Sequence, residues 1–132
     1  MVTPALRPGP VQKLDLTAGL GEIRELVRTA ASAAGLAPAR VAEVVLAAHE
    51  VAMNALTHGR GRGAVRVWKA GDRFVCEVED AGPGIHDHDR GVEPPDPASP
   101  CGRGLWIARQ LCEAVEIEDA KPGARVRLRV QL

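Results

Sequence analysis

The chain has 132 residues, enough for one domain of ordinary size. Seventeen basic and seventeen acidic residues cancel to a formal net charge of zero, which argues against a general nucleic-acid binder. Aromatic residues make up 2% of it, so base-stacking platforms are nearly absent and the core must be built from Val, Leu, Ile and Ala.

Residues 1–10 carry three prolines and little pattern, and are expected to form a flexible N-terminal lead to a domain spanning 11–132. Val11–Leu16 suits a short edge strand. Between Gly19 and Ala34, Leu20, Ile23, Leu26, Val27 and Ala30 recur at helical spacing, and Gly35 marks the end. A second helix starts near Pro38, runs to about His58 and stops at Gly59. Ala64–Ala70 and Arg73–Glu79 then switch to period two around Gly71-Asp72, a two-residue hairpin signal, with Phe74, Cys76 and Val78 on one face. Residues 85–101 include four prolines and read as a lid-like loop. Gly104–Glu113 reads as a third helix. Ala114–Asp119 and Arg125–Leu132 form a closing hairpin, whose last strand alternates Val126, Leu128, Val130 and Leu132 with Arg125, Arg127, Arg129 and Gln131. The order predicts an α+β fold, a two-layer sandwich with a mixed, mostly antiparallel sheet and its helices on one face.

Three segments carry chemistry. On the second helix, Glu43, Glu50, Asn54, Thr57 and His58 fall within about 100° of arc, while most other positions are Val, Leu, Ala or Met. A carboxylate and an amide on so apolar a helix cost several kcal/mol unless bonded or used. Asn54 offers an oxygen to Mg²⁺, and Glu50, one turn earlier, can accept a proton from water or a hydroxyl attacking a γ-phosphate. At the end of a strand, Asp80 can accept from the exocyclic amine of adenine and would repel the carbonyl of guanine, while Gly82 and Gly84 permit flat contact with a purine. Gly102 and Gly104 precede the third helix, whose N–H groups suit phosphate. This is neither a Walker A loop nor a Rossmann fingerprint. The charged run His86–Arg90 reads as solvated loop rather than a zinc site.

In this order, His49–Gly59 resembles the N box of the Bergerat-fold ATPases, the superfamily of gyrase, histidine kinases and mismatch-repair ATPases. Asp80–Ile85 resembles its G1 box and Gly102–Leu105 its G2 box. The nearest likeness is to the anti-sigma factor serine/threonine kinases, from about Leu20 to the C-terminus. The resemblance implies ATP and Mg²⁺ as cofactors, with Glu50 catalytic and Asn54 on the metal. The nucleotide would meet Asn54, His58, Asp80, Gly82, Gly84, Ile85, Gly102, Arg103, Gly104 and Leu105. It implies phosphorylation of serine or threonine on a STAS-type anti-sigma antagonist, binding of a sigma factor, and a homodimer as one possible assembly. Two other readings are a nucleotide-gated binding module without kinase activity and the detached ATP-binding part of a larger regulator.

Cys76, Cys101 and Cys112 form no C-x-x-C pair, so reduced thiols and a cytoplasmic setting are expected. No apolar run reaches the ~18 residues of a membrane span, and Met1–Ala5 lacks a signal-peptide pattern.

Overall fold

The computed structural model describes residues 10–58, 62–82, 103–119 and 123–132. The elements run β1 (Gln12–Asp15), a 3-10 turn at Leu16–Ala18, α1 (Leu20–Ala33), α2 (Pro38–His58), β2 (Gly63–Ala70), β3 (Arg73–Asp80), α3 (Arg103–Leu111), β4 (Ala114–Asp119) and β5 (Ala124–Gln131). The strands form one sheet in the order β1-β2-β3-β5-β4. Every pairing among the described residues is antiparallel, so the mixed sheet expected from sequence is antiparallel throughout this region. The first ten residues, read as a lead, fall outside the described residues up to position 9, as does the whole 85–101 loop.

The three helices share one sheet face: α1 lies over β2, α2 over β3 and β5, and α3 beside α2 and β4. Helical spacing explains α1, whose Ile23, Val27, Ala30 and Ala31 are buried, and hydrogen bonds from Gly35 and Leu36 back to Ser32 and Ala31 close its last turn. In α2, Val41, Val44, Val45, Ala47, Ala48, Val51, Ala52 and Ala55 are all buried, as a helix with neighbours on three sides requires. Leu46 and Met53 face outward instead. From the sheet, Val65, Val67, Phe74, Cys76, Val78, Val126, Leu128 and Val130 complete the core.

The opposite sheet face is charged. Cross-strand register places Arg66, Glu77, Arg127 and Glu116 in one row and Glu79, Arg125 and Glu118 in the next. Alternation had put the arginines of β5 on a solvated outer face, and they do lie there, but in ion pairs. Arg127 donates twice to Glu77 Oε2, at 2.9 and 3.1 Å. Arg125 reaches both Glu79 (2.8 Å) and Glu118 (2.9 Å), and Arg129 pairs with Glu116. The hydrogen bond from Arg125 holds Glu118 below the ordinary carboxylate range. Glu77 is buried at 6% exposure, and Val75 beside it is fully buried. Strict alternation missed both, because β3 is central and the long side chains of its neighbours cover its outer face.

Cys76 and Cys112 are buried free thiols whose pKa burial pushes up to about 12. An unfolded chain gives up these protons first as pH rises, since its thiols keep values near 9.0. The stability they contribute is therefore present in full below that value and is lost as pH climbs towards about 12. Urea midpoints should fall between pH 8 and pH 11, and a Cys76→Ala/Cys112→Ala variant should show a distinctly flatter pH dependence.

Candidate functional site

The polar strip of α2 is the starting point. Glu50 and Asn54 are half-buried, and neither has a hydrogen-bond or ion-pair partner among the described residues. None of their polar atoms is sealed from solvent either. Polar groups in a mostly apolar helix, neither satisfied nor buried, are available to an incoming ligand. The other residues grouped with them by helical spacing separate. Glu43 is exposed and lies 3.6 Å from Arg40, Thr57 is exposed, and His58 ends the helix with its imidazole outside the described residues.

Helix α3 is set against this strip by contacts at both of its ends. At the far end, Arg40 in the first turn of α2 donates to the Leu111 carbonyl and, at 2.7 Å, to Glu113 Oε1. A cation on the last carbonyls of a helix satisfies both their acceptors and the dipole. At the near end, Gly104 lies against Glu50: a Cβ on Gly104 would stand 3.3 Å from Glu50 Oε2 and 3.4 Å from its Cβ and carbonyl oxygen. Arg40 meeting Leu111 while Glu50 meets Gly104 makes the two helices antiparallel. Leu105, next in line, is fully buried and anchors the turn, leaving Arg103 exposed. The first N–H groups of α3 are thus held within reach of whatever approaches Glu50 and Asn54.

Asp80 enters from the sheet. It shares the parity of Phe74, Cys76 and Val78, so the last residue of β3 turns towards the helix layer. Its Oδ1 accepts the Gly82 N–H at 2.9 Å, and no other donor among the described residues reaches this carboxylate. Two glycines allow the crowding around it. Gly63 and Gly123 have φ of 145° and 97°, and a Cβ on either would run into a carbonyl oxygen, of Glu79 and of Asp80 respectively. The Ala81 N–H adds a bond to the Arg62 carbonyl at 3.0 Å.

The structure therefore gives positions for Glu50, Asn54, Asp80, Gly82, Arg103, Gly104 and Leu105, and brings Glu50 directly against Gly104. Gly84, Ile85, Gly102, Cys101 and the His86–Arg90 run lie outside the described residues. Residues that sequence reasoning did not find are the supports: Arg40 and Glu113 at the end of α3, Gly63 and Gly123 around Asp80, and Arg24, whose Nη1 lies 3.1 Å from His49 Nδ1 across α1 and α2. Arg40 acts on a carbonyl 71 positions away, so nothing local marks it. The glycines carried a signal, since Gly63 opens β2 and Gly123 directly precedes β5.

Oxygen donors without partners among the described residues, beside the start of a helix, fit a nucleoside triphosphate with a divalent cation. Among the described residues no three His, Cys, Asp or Glu side chains could hold a metal alone. A cation would take one or two protein oxygens and the rest from phosphate and water, the mode Mg²⁺ prefers. Nor does any described helix have the length and apolarity to cross a membrane.

Comparison with known proteins agrees with this architecture. A family model described as histidine kinase-like ATPase domain matches residues 15–130. Among solved structures, one holding the RsbU and RsbW domains of Rv1364c from Mycobacterium tuberculosis superposes with a TM-score of 0.68 at 22% identity, over 95% of this chain and 33% of that one. The histidine kinase domain of the blue-light activated kinase EL346 from Erythrobacter litoralis gives 0.57 at 24% identity, over 90% and 62% of the two chains. The mycobacterial sensor histidine kinase MprB gives 0.55 at 21% identity, over 93% and 100%. At these identities the structures speak for the fold, and this chain spans a third of the first structure's length. Among curated protein sequences none matches. The family model, covering nearly the whole chain, carries the assignment: this protein belongs to the histidine kinase-like ATPase domains.

Proposed function

We propose that the domain binds Mg·ATP between α2, the end of β3 and the first turn of α3, and phosphorylates serine or threonine on a STAS-type anti-sigma antagonist while also binding a sigma factor. The observation that carries this reading is the pair Glu50 and Asn54, half-buried on an apolar helix and without partners among the described residues, with Glu50 bordered by Gly104 at the start of α3. The resemblance of the three sequence boxes to the anti-sigma kinases supplies the acceptor class.

Each residue then has a role that its position permits. Asp80 has one carboxylate oxygen committed to Gly82, which aims the other at the adenine amine. Asn54 would offer its side-chain oxygen to magnesium, and the opening N–H groups of α3 would hold phosphate oxygens. Glu50 accepts the proton of the attacking hydroxyl. The bound Mg·ATP supplies the phosphoryl group and neutralises the charge that develops on it. The buried thiols Cys76 and Cys112 have no part in this chemistry, and as reduced cysteines they fit a cytoplasmic setting. The neighbour that carries RsbU and RsbW domains on one chain shows this fold within a longer protein, which keeps the detached-domain reading in play.

Three experiments test the proposal. Asp80→Asn puts a donor against the adenine amine, a mismatch that costs roughly 1–3 kcal/mol. Calorimetry should show ATP affinity reduced by about tenfold or more, and wild-type protein that binds neither ATP nor ADP would end the reading. Asn54→Ala should weaken ATP binding with magnesium present and leave it nearly unchanged in excess chelator; equal loss in both conditions would place Asn54 in packing rather than on the metal. Incubation with labelled ATP and STAS-domain candidates should label serine or threonine. If the wild-type protein binds ATP but labels none of them, the domain is a nucleotide-gated binding module.

A further inference from the structure

Resting on that reading of Glu50, we infer that Gly104 is a positioning residue for the Glu50 carboxylate, so that the second glycine of Gly102-Arg-Gly104 serves proton transfer and not phosphate approach alone. The geometry is specific. An added Cβ at Gly104 would meet three atoms of one residue: Glu50 Oε2 at 3.3 Å, and its Cβ and carbonyl oxygen at 3.4 Å. The last two belong to the rigid part of α2 and lie at ordinary contact distance, so the carboxylate oxygen is the atom that has to give, by a few tenths of an ångström. It can do so by turning about its own side-chain torsions.

α3 has little freedom to slide away instead. Leu105 is fully buried, Ala108 likewise, and Arg40 ties the far end through the Leu111 carbonyl and Glu113. A side chain at 104 would therefore be admitted chiefly by redirecting Glu50. No partner among the described residues holds the carboxylate, and Gly104 is the wall it packs on. A misplacement of about 1 Å in a reacting group can cost on the order of 10²-fold in rate. The few tenths of an ångström that a methyl group at 104 asks of the carboxylate should cost a part of that.

A double-mutant cycle on ATP hydrolysis, with water as the acceptor, separates the possibilities. Gly104→Ala should lower kcat about tenfold with KM for ATP unchanged. Glu50→Ala should lower kcat by about 10²-fold or more. In the Glu50→Ala background, Gly104→Ala should then have almost no further effect. If Gly104→Ala instead raises KM, or lowers kcat equally in both backgrounds, Gly104 acts on the nucleotide and the inference fails. Unchanged hydrolysis in Glu50→Ala alone would overturn the role of Glu50 first, and wild-type protein that neither hydrolyses ATP nor labels an antagonist would remove both. Should Gly104→Ala not fold, Glu50→Asp in the native chain replaces it, because shortening the side chain draws the carboxylate off the Gly104 wall. That variant should lose kcat at constant KM, and full wild-type speed would overturn the inference.

Discussion

The burial of α2 on three sides is the constraint from which the rest follows. The helix rests on β3 and β5 and is flanked by α1 and α3. It meets them with alanine and valine at eight buried positions, and a chain with one phenylalanine and no tyrosine has few larger side chains to offer. Small residues let backbones come close, and dense packing recovers in many short contacts what large side chains would supply in area. Polar groups are then confined to the remaining strip. An unpaired carboxylate within the packed faces would cost several kcal/mol, so Glu50 and Asn54 must lie where water or a ligand can reach them.

The two sheet faces solve different problems with the same strands. One face carries the helices. The other has Arg66, Arg125, Arg127 and Arg129 interleaved with Glu77, Glu79, Glu116 and Glu118, which explains how an arginine-rich strand sits in a chain of zero net charge. Exposed pairs of this kind contribute about 0–1 kcal/mol each, so the lattice mainly keeps the face wetted. Glu77 is the exception. Buried and approached by Arg66, Arg125 and Arg127, it gives the central strand a fixed cross-strand register on its outer side.

Supports from several elements hold the parts of the candidate site. Arg40 fastens the far end of α3, and Leu105 anchors the near end; together they set the first turn of α3 against Glu50. At the sheet, Gly63 and Gly123 let β2 and β5 close around Asp80 without side-chain atoms between them. Arg40, Gly63 and Gly123 are remote in sequence from the residues they hold, so the precision of the site depends on the whole domain being folded.

Periodicity, together with glycine, proline and polar turn signals, placed the described α-helices and strands to within a residue or two. It also put Glu50 and Asn54 on one helix face and Asp80 at a strand end, since those are statements about angles along a single element. Antiparallel pairing throughout, the insertion of β5 between β3 and β4, and burial on both faces of β3 were not local properties. Glu43 is aligned with Glu50 by helical spacing but stands two turns earlier on α2, exposed beside Arg40. The amino-acid sequence by itself determined which residues could do chemistry and on which element each stands. Tertiary structure alone decided which of them meet, because the contact of Gly104 with Glu50 and the enclosure of Asp80 by Gly63 and Gly123 join segments whose mutual distance no periodicity encodes.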